Sequence, residues 1–326
     1  MKKQILGFLI VLGLIILLIN TDFNNLIEKI KLIPLKVFAF TLGLQIITML
    51  SIGFQWKKIV DIICPGRKFY SILKINLKGN IFDAITPGAK VGGELAKVYE
   101  MKNGLDISLN NSIVALSLQK SVSIFSFISL GIISILYINN IRGMVFTSKN
   151  YYYMILSILL SGLLLILSLV FYPIKIKKLV DRCEFKKKEK LNNFLNLYIE
   201  NIEKIKKNKK NLLLNIVLGL FIWVLYAVKL IILVRVFNRE INVLILVGIT
   251  YISYLIGGIP LLPGSIGSFE SGLGSLLYIS GLTLEESMVI SIAFRFVTFW
   301  FEFIISGIII ILDRILYKKV KGGEYA

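Results

Sequence analysis

Residues 241–281 read INVLILVGITYISYLIGGIPLLPGSIGSFESGLGSLLYISG, and the way this stretch is read decides the fold. Its first part, about 241–259, is apolar enough for a hydrocarbon core, which takes roughly 20 helical residues per crossing. Its second part, 257–281, is also apolar, but Pro263 and Gly264 interrupt it and Glu270 lies inside it. Proline removes a helical hydrogen bond, so this part is a broken helix rather than a plain span. The chain is therefore expected to treat the bilayer as its solvent and to hold irregular backbone within it.

The rest of the 326 residues agree with that reading. Hydrophobic residues make up 56% of the chain and mean hydropathy is +0.80, above a soluble domain's range. Long apolar runs recur at 5–19, about 35–54, 113–138, 151–172, 212–234 and 288–312, in addition to 241–259. A signal peptide at 5–19 is disfavoured, because Asn20-Thr21-Asp22 follows it in place of a small-residue cleavage site. The fold expected is an all-α polytopic integral membrane helical bundle of about seven to eight transmembrane helices, forming a single membrane domain over 1–326.

The net charge of +19 does not indicate nucleic-acid binding, because the cations sit in loops between apolar spans. Under the positive-inside rule, the N-terminus and the basic loops 56–78 and 173–211 are cytoplasmic. The second loop carries thirteen Lys or Arg against five acids. Within it Leu191, Phe194, Leu195, Tyr198, Ile202 and Ile205 recur at helical spacing. That pattern suits either an amphipathic helix on the inner leaflet or a solvated linker helix. Lys229 and Arg235, near the end of the 212–234 span, are expected to snorkel to the interface.

Absences narrow the chemistry. The sequence has no histidine and no G-x-x-x-x-G-K-[ST] phosphate loop, and Cys64 and Cys183 lie in separate basic loops. No metal site, cofactor or ATP site is expected, and neither is an enzyme activity.

A second broken segment lies at 80–102, NIFDAITPGAKVGGELAKVYEMK, and it matches the first. Glu94 follows Pro87-Gly88, and Glu270 follows Pro263-Gly264, by seven residues from the proline in each case. Downstream, Ser108 matches Thr283, Lys120 matches Arg295 and Ser123 matches Thr298. The two prolines are 176 residues apart and the Ser108–Thr283 pair 175 apart. Constant spacing of this kind indicates an internal repeat, with one half at about 35–138, the basic loop 173–211 between, and the other half at about 212–312. Paired broken helices in two halves are the sequence mark of a transporter's central site, although tight Pro-Gly loops between helices use the same residues.

The charges near these elements define a candidate site. Glu94, Lys97, Lys120, Glu270, Arg295 and Glu302 lie in or beside apolar stretches, where a charge must pair or face water. Glu270 can reach Arg295 if the broken segment folds back, and Arg295 and Glu302, seven apart, share a helix face.

These residues resemble the transmembrane region of the lysylphosphatidylglycerol synthase family, a flippase-like membrane domain. The resemblance rests on Pro87, Gly88, Gly92, Gly93, Glu94 and Lys97, then on Pro263, Gly264, Gly267, Glu270, Arg295, Thr298 and Trp300. Lys97 departs from the arginine expected there, keeping the charge but not the fork. The resemblance implies movement of an anionic phospholipid or lipid-linked substrate between leaflets of the cell membrane. Lipid synthesis is not carried over, because the soluble aminoacyl-transferase domain of fused members is absent from this sequence. In this reading Lys97, Lys120, Arg295 and Thr298 contact the headgroup, and Glu94 and Glu270 organise the cations or bind a coupling proton. The rivals are a small-solute or ion transporter and a non-catalytic membrane partner of a lipid-modifying enzyme.

One conflict stands. Seven full spans, with both broken segments returning to the side they entered, place the C-terminus outside. The basic tail at Arg314, Lys318, Lys319 and Lys321 argues for inside. A broken segment that crosses the membrane, for about eight crossings and inverted halves, removes the conflict and is the preferred reading.

Overall fold

The computed structural model describes residues 28–29, 31–86, 91–141, 149–182, 188–237, 240–258 and 263–322. The apolar run at 5–19, the Pro87-Gly88 pair and Cys183 lie outside the described residues.

All regular structure among the described residues is helical. The first long helix among the described residues, α1 (Leu35–Ile63), starts directly after Pro34 and stops ahead of a turn at Gly66, whose φ is +87°. Two shorter helices follow, α2 (Phe69–Ile85) and α3 (Val91–Leu105), and then the long α4 (Leu109–Ile141). Next come α5 (Lys149–Phe171), α6 (Pro173–Asp181) and α7 (Lys188–Lys207). The last part repeats the earlier order: a long α8 (Lys209–Val234), the short α9 (Val243–Gly257) and α10 (Ser268–Ile279), and a long unit from α11 (Leu284–Arg295) to α12 (Phe301–Gly322). A π-helical turn at Phe296–Trp300 joins α11 to α12.

By length and composition α1, residues Leu109–Leu136 of α4, α8 and the Leu284–Ile315 unit can cross a membrane. A fifth crossing is counted if α5 and α6, bent at 90°, form one span. The span expected at 241–259 takes another form. Its helix α9 has 15 residues, about 22 Å at 1.5 Å per residue, too short for a core of about 30 Å.

Instead α9 packs along α10, with the Pro263–Ser265 turn between them, just as α2 packs along α3. Each pair is a helical hairpin held between two long helices. The hairpins interlock across the molecule: α2 lies against α12, α9 lies against α4, and α1 lies against α8. Asp313 near the end of α12 takes hydrogen bonds from Tyr70 at 2.9 Å and Lys74 at 2.7 Å, which ties α2 to α12.

Among the described residues three apolar clusters support this frame, the smallest joining Ile128 and Ile135 of α4 to Leu159 and Ile166 of α5; the other two are larger. One gathers Trp56, Ile59, Ile72, Val98, Met101 and Val114 from α1–α4. The other gathers Leu230, Leu246, Phe269, Leu273, Ile290 and Phe294 from α8–α11. The amphipathic stripe of α7 belongs to the first core, since Leu195, Tyr198 and Ile202 are buried and Tyr198 and Ile202 pack with it. The stripe therefore faces protein, rather than the leaflet or water, because α1, α4 and α8 offer it a drier surface.

Candidate functional site

The hairpin α2/α3 closes through glycines. Asp83 on α2 accepts the Gly93 N–H at 2.9 Å. A Cβ on Gly93 would fall on that carboxylate, and one on Gly79 would fall on the Lys97 stem. The two helices thus approach as closely as the missing side chains allow. Glu94, one residue beyond Gly93, reaches Lys120 of α4 at 2.5 Å and Lys97 at 3.7 Å. Lys97 is buried, with its ammonium 5.6 Å from the centre of the Trp56 ring.

In the α9/α10 hairpin the turn itself is unusual. Gly264 and Gly267 have φ of +61° and +84°, and Ser265 between them has +58°. Glu270, in the first turn of α10, accepts the Gly267 N–H at 2.7 Å. Its other oxygen lies 3.1 Å from Nε of Arg295, an ion pair whose Nε makes no well-directed hydrogen bond. The guanidinium also donates to the Gly264 carbonyl and lies 4.1 Å from the Phe299 ring centre and 4.9 Å from that of Phe269. Arg295 and its partners therefore fasten the turn to α11.

Between the hairpins lie two polar pockets, the lobes of one cavity region, which share part of their wall. The first encloses about 680 Å³, mouth included, and is lined by Glu94, Lys97 and Lys120 with Asp83, Asn80 and Glu302. The second, about 430 Å³, is lined by Arg295, Thr298 and Phe299, and it shares Asn80, Asp83, Tyr226, Tyr254 and Glu302 with the first. Of the expected charged residues only Glu270 stands behind the wall, holding Arg295. The π-turn at Phe296–Trp300 separates Arg295 from Glu302, yet both line the second lobe.

Several lining groups carry no sequence signal of charge in a broken helix. Gln119 donates to Gln55 at 3.1 Å, and Gln55 donates to the Asn215 carbonyl at 3.2 Å. Asn80 and Gln45 donate to the two oxygens of Glu302 at 2.7 and 3.3 Å. Trp223 donates to the Ser123 carbonyl at 3.0 Å and packs with Tyr226, Tyr251 and Tyr254. The available signal was an amide or carboxylate inside an apolar helix, as at Gln45, Asn80 and Asp83.

Lys229 corrects an expectation. Its residue surface is wholly buried, and its Nζ donates to Gln45 Oε1 and, at 3.1 Å, to Thr48 Oγ1. It points inward at α1, so its stem cannot carry the ammonium to the interface. The snorkelling expected of it does not occur.

Comparison with known proteins finds a membrane-protein family and membrane-protein relatives. The family described as the lysylphosphatidylglycerol synthase TM region matches residues 4–306. A UPF0104 membrane protein of Methanothermobacter thermautotrophicus is 22% identical over 278 residues, covering 79% of each chain. A UPF0104 membrane protein of Pyrococcus horikoshii is 21% identical over 331 aligned residues, covering 96% of this chain and 98% of that one.

Proposed function

The chain belongs to the lysylphosphatidylglycerol synthase transmembrane-region family, and from that premise we propose that it is a lipid translocase rather than an enzyme. The substrate is an anionic phospholipid or lipid-linked anion, which passes between leaflets through the two-lobed cavity. The observation that carries this reading is the meeting of Glu94, Lys97, Lys120, Arg295, Thr298 and Glu302 around one cavity in a membrane bundle. Charges in such a place are costly unless they pair or serve a polar substrate. Lys120, whose side chain is 38% exposed, is the cation best placed to exchange its carboxylate partner for a headgroup phosphate.

The same frame supports an orientation in the cell membrane. If both hairpins return to the side they entered, the crossings are α1, α4, α5, α8 and the α11–α12 unit, preceded by the apolar run 5–19 that the sequence alone offers as a span. With the N-terminus cytoplasmic, loops 56–78 and 173–211 and the basic tail then all fall inside. This reading replaces the crossing broken segment preferred from the sequence: counting 241–259 as half of a hairpin also puts the basic tail inside. The first hairpin enters from the cytoplasm and the second from outside, so the halves form an inverted repeat, as in many transporters. The reciprocal contacts α2 with α12 and α9 with α4 support that repeat.

The test is leaflet exchange in liposomes containing the purified chain, with fluorescent phosphatidylglycerol and phosphatidylcholine run in parallel. Exchange of the anionic lipid by the parent, lost in a folded Lys120→Gln protein, supports the translocase. Absence of exchange under an imposed proton gradient favours the solute transporter or the partner of a lipid-modifying enzyme.

A further inference from the structure

An apolar pocket of about 830 Å³, mouth included, lies outside the polar cavity, walled by α1, α4, α5, α7 and α8. On α4 its stripe is Leu118, Ser121, Val122 and Phe125, whereas Lys120 and Ser123, on the opposite side of that helix, line the first polar lobe. The two spaces share no lining residue, and the wall between them is tight. A Cβ on Gly219 of α8 would meet Ser126 and Val122 of α4, and Gln55 joins Gln119 to the Asn215 carbonyl across the same wall. A chain in the apolar pocket is therefore not the tail of a headgroup in the polar lobe.

Three features say what would fill it. Leu164 and Leu165 of α5 and Leu213 and Val217 of α8, close in sequence to lining residues, are exposed apolar side chains, a surface suited to hydrocarbon. One end of the pocket is basic. Lys206 is four residues beyond the lining Ile202 on α7, and Lys209 is three before the lining Leu212 on α8, so each continues a pocket face. Lys207, Lys209 and Lys210 are exposed and form no ion pair with a described residue. Over 200–210 five lysines face two glutamates, and Glu200 is already paired with Lys204 at 2.7 Å. The third feature is Asn215, a lining residue only 2% exposed. Its Nδ2 donates to the Asn211 carbonyl at 2.9 Å, and its Oδ1 accepts no hydrogen bond among the described residues. A buried acceptor without a donor is costly. It stands six residues along α8 from Lys209, about 9 Å of helix.

We propose that this pocket is a binding site for a single-chain anionic glycerolipid, separate from the polar cavity and its substrate. The acyl chain fills the apolar space, the phosphate meets Lys207, Lys209 and Lys210, and the free glycerol hydroxyl donates to Asn215 Oδ1. Each part answers one observation. An apolar space in a bilayer takes up hydrocarbon, because water finds too few polar partners there. Clustered lysines beside apolar spans attract anionic lipid. A hydroxyl next to the phosphate supplies the donor that a diacyl lipid, with both glycerol oxygens esterified, lacks. The site does not depend on the translocase reading.

The test uses the full chain in phosphatidylcholine nanodiscs doped with one probe at a time, and native mass spectrometry counts the probe retained on the released protein. The probes are oleoyl lysophosphatidate, its 2-O-methyl ether and oleoyl lysophosphatidylcholine. The expected result is a single lysophosphatidate per chain, retained about tenfold over the choline lipid. The ether, which has no hydroxyl to donate, is retained several-fold less. A chain carrying Lys207→Gln, Lys209→Gln and Lys210→Gln together is expected to hold the phosphate and choline probes alike. Asn215→Leu is expected to hold lysophosphatidate and its ether alike. Val170→Trp, which fills the pocket, is expected to retain no probe, and Lys120→Gln, in the polar cavity, to retain it as the parent does.

No retention by the parent overturns the proposal, and so does full retention by Val170→Trp. Loss in Lys120→Gln with retention in Val170→Trp places the probe in the polar cavity and overturns it as well. Equal retention of the choline lipid by the parent overturns the lysine contact, and equal retention of the ether overturns the contact to Asn215. Should Val170→Trp fail to fold, Leu167→Phe fills the same pocket and takes its place in the comparison.

Discussion

The two hairpins place a glutamate and a cation at matching positions but use them differently. Glu94 and Lys120 meet at 2.5 Å, with the lysine side chain 38% exposed; Glu270 and Arg295 meet at 3.1 Å, with the arginine side chain 8% exposed. The first pair opens onto the cavity. The second is tied to the backbone at Gly264 and Gly267 and flanked by Phe269 and Phe299. Both hairpins use close helix approach at glycines, Gly79 and Gly93 in the first and Gly257 and Gly272 in the second, and the second adds left-handed backbone at Gly264 and Gly267. A shared spacing therefore supplies a cavity-facing pair on one side and a clamp on the other.

The largest expected difference comes from deleting the two cations. Arg295→Met strands Glu270 and frees the turn, and should cost about 3–5 kcal/mol, read as a large fall in thermal midpoint in detergent. Lys120→Met should cost less than about 1 kcal/mol, because Lys97 remains near Glu94 and the pair is partly wet. Equal losses would mean that both pairs are clamps and would break the comparison.

Backbone approach gives the next effect. Gly93→Ala should cost about 1–3 kcal/mol by forcing α3 away from the Asp83 carboxylate. Combined with Asp83→Ala it should be less damaging than the separate losses imply, since the two sites touch. Strict additivity would show that the clash is relieved elsewhere.

The smallest effect concerns the helix starts after each hairpin. Thr283 accepts the Glu286 N–H at 3.2 Å and Glu286 accepts the Thr283 N–H at 3.0 Å, a reciprocal cap for α11. Ser108 at the head of α4 makes the single bond to the Asn111 N–H at 3.3 Å. Thr283→Ala should cost about 1 kcal/mol and Ser108→Ala about half of that. A reversed order would show that the second half does not rely on its fuller cap.

Much of this was legible in the chain itself. Long apolar runs determine helices in a bilayer, because their backbone must be satisfied internally whatever surrounds them. The matching offsets of Pro87, Glu94 and Lys120 with Pro263, Glu270 and Arg295 are linear facts, and they named the charges that line or support the cavity. What tertiary structure alone decided was direction and partnership. The hydropathy of 241–259 matches a full span, and only the packing of α9 on α10 makes it half of a hairpin. The stripe on α7 reads alike for lipid or protein until α1, α4 and α8 cover it. Lys229 meets Gln45 across 184 positions of chain, and Gln45 meets Glu302 across 257. Hydropathy and spacing are sums over neighbours in sequence, whereas the environment of a buried polar group is set by helices that arrive from elsewhere.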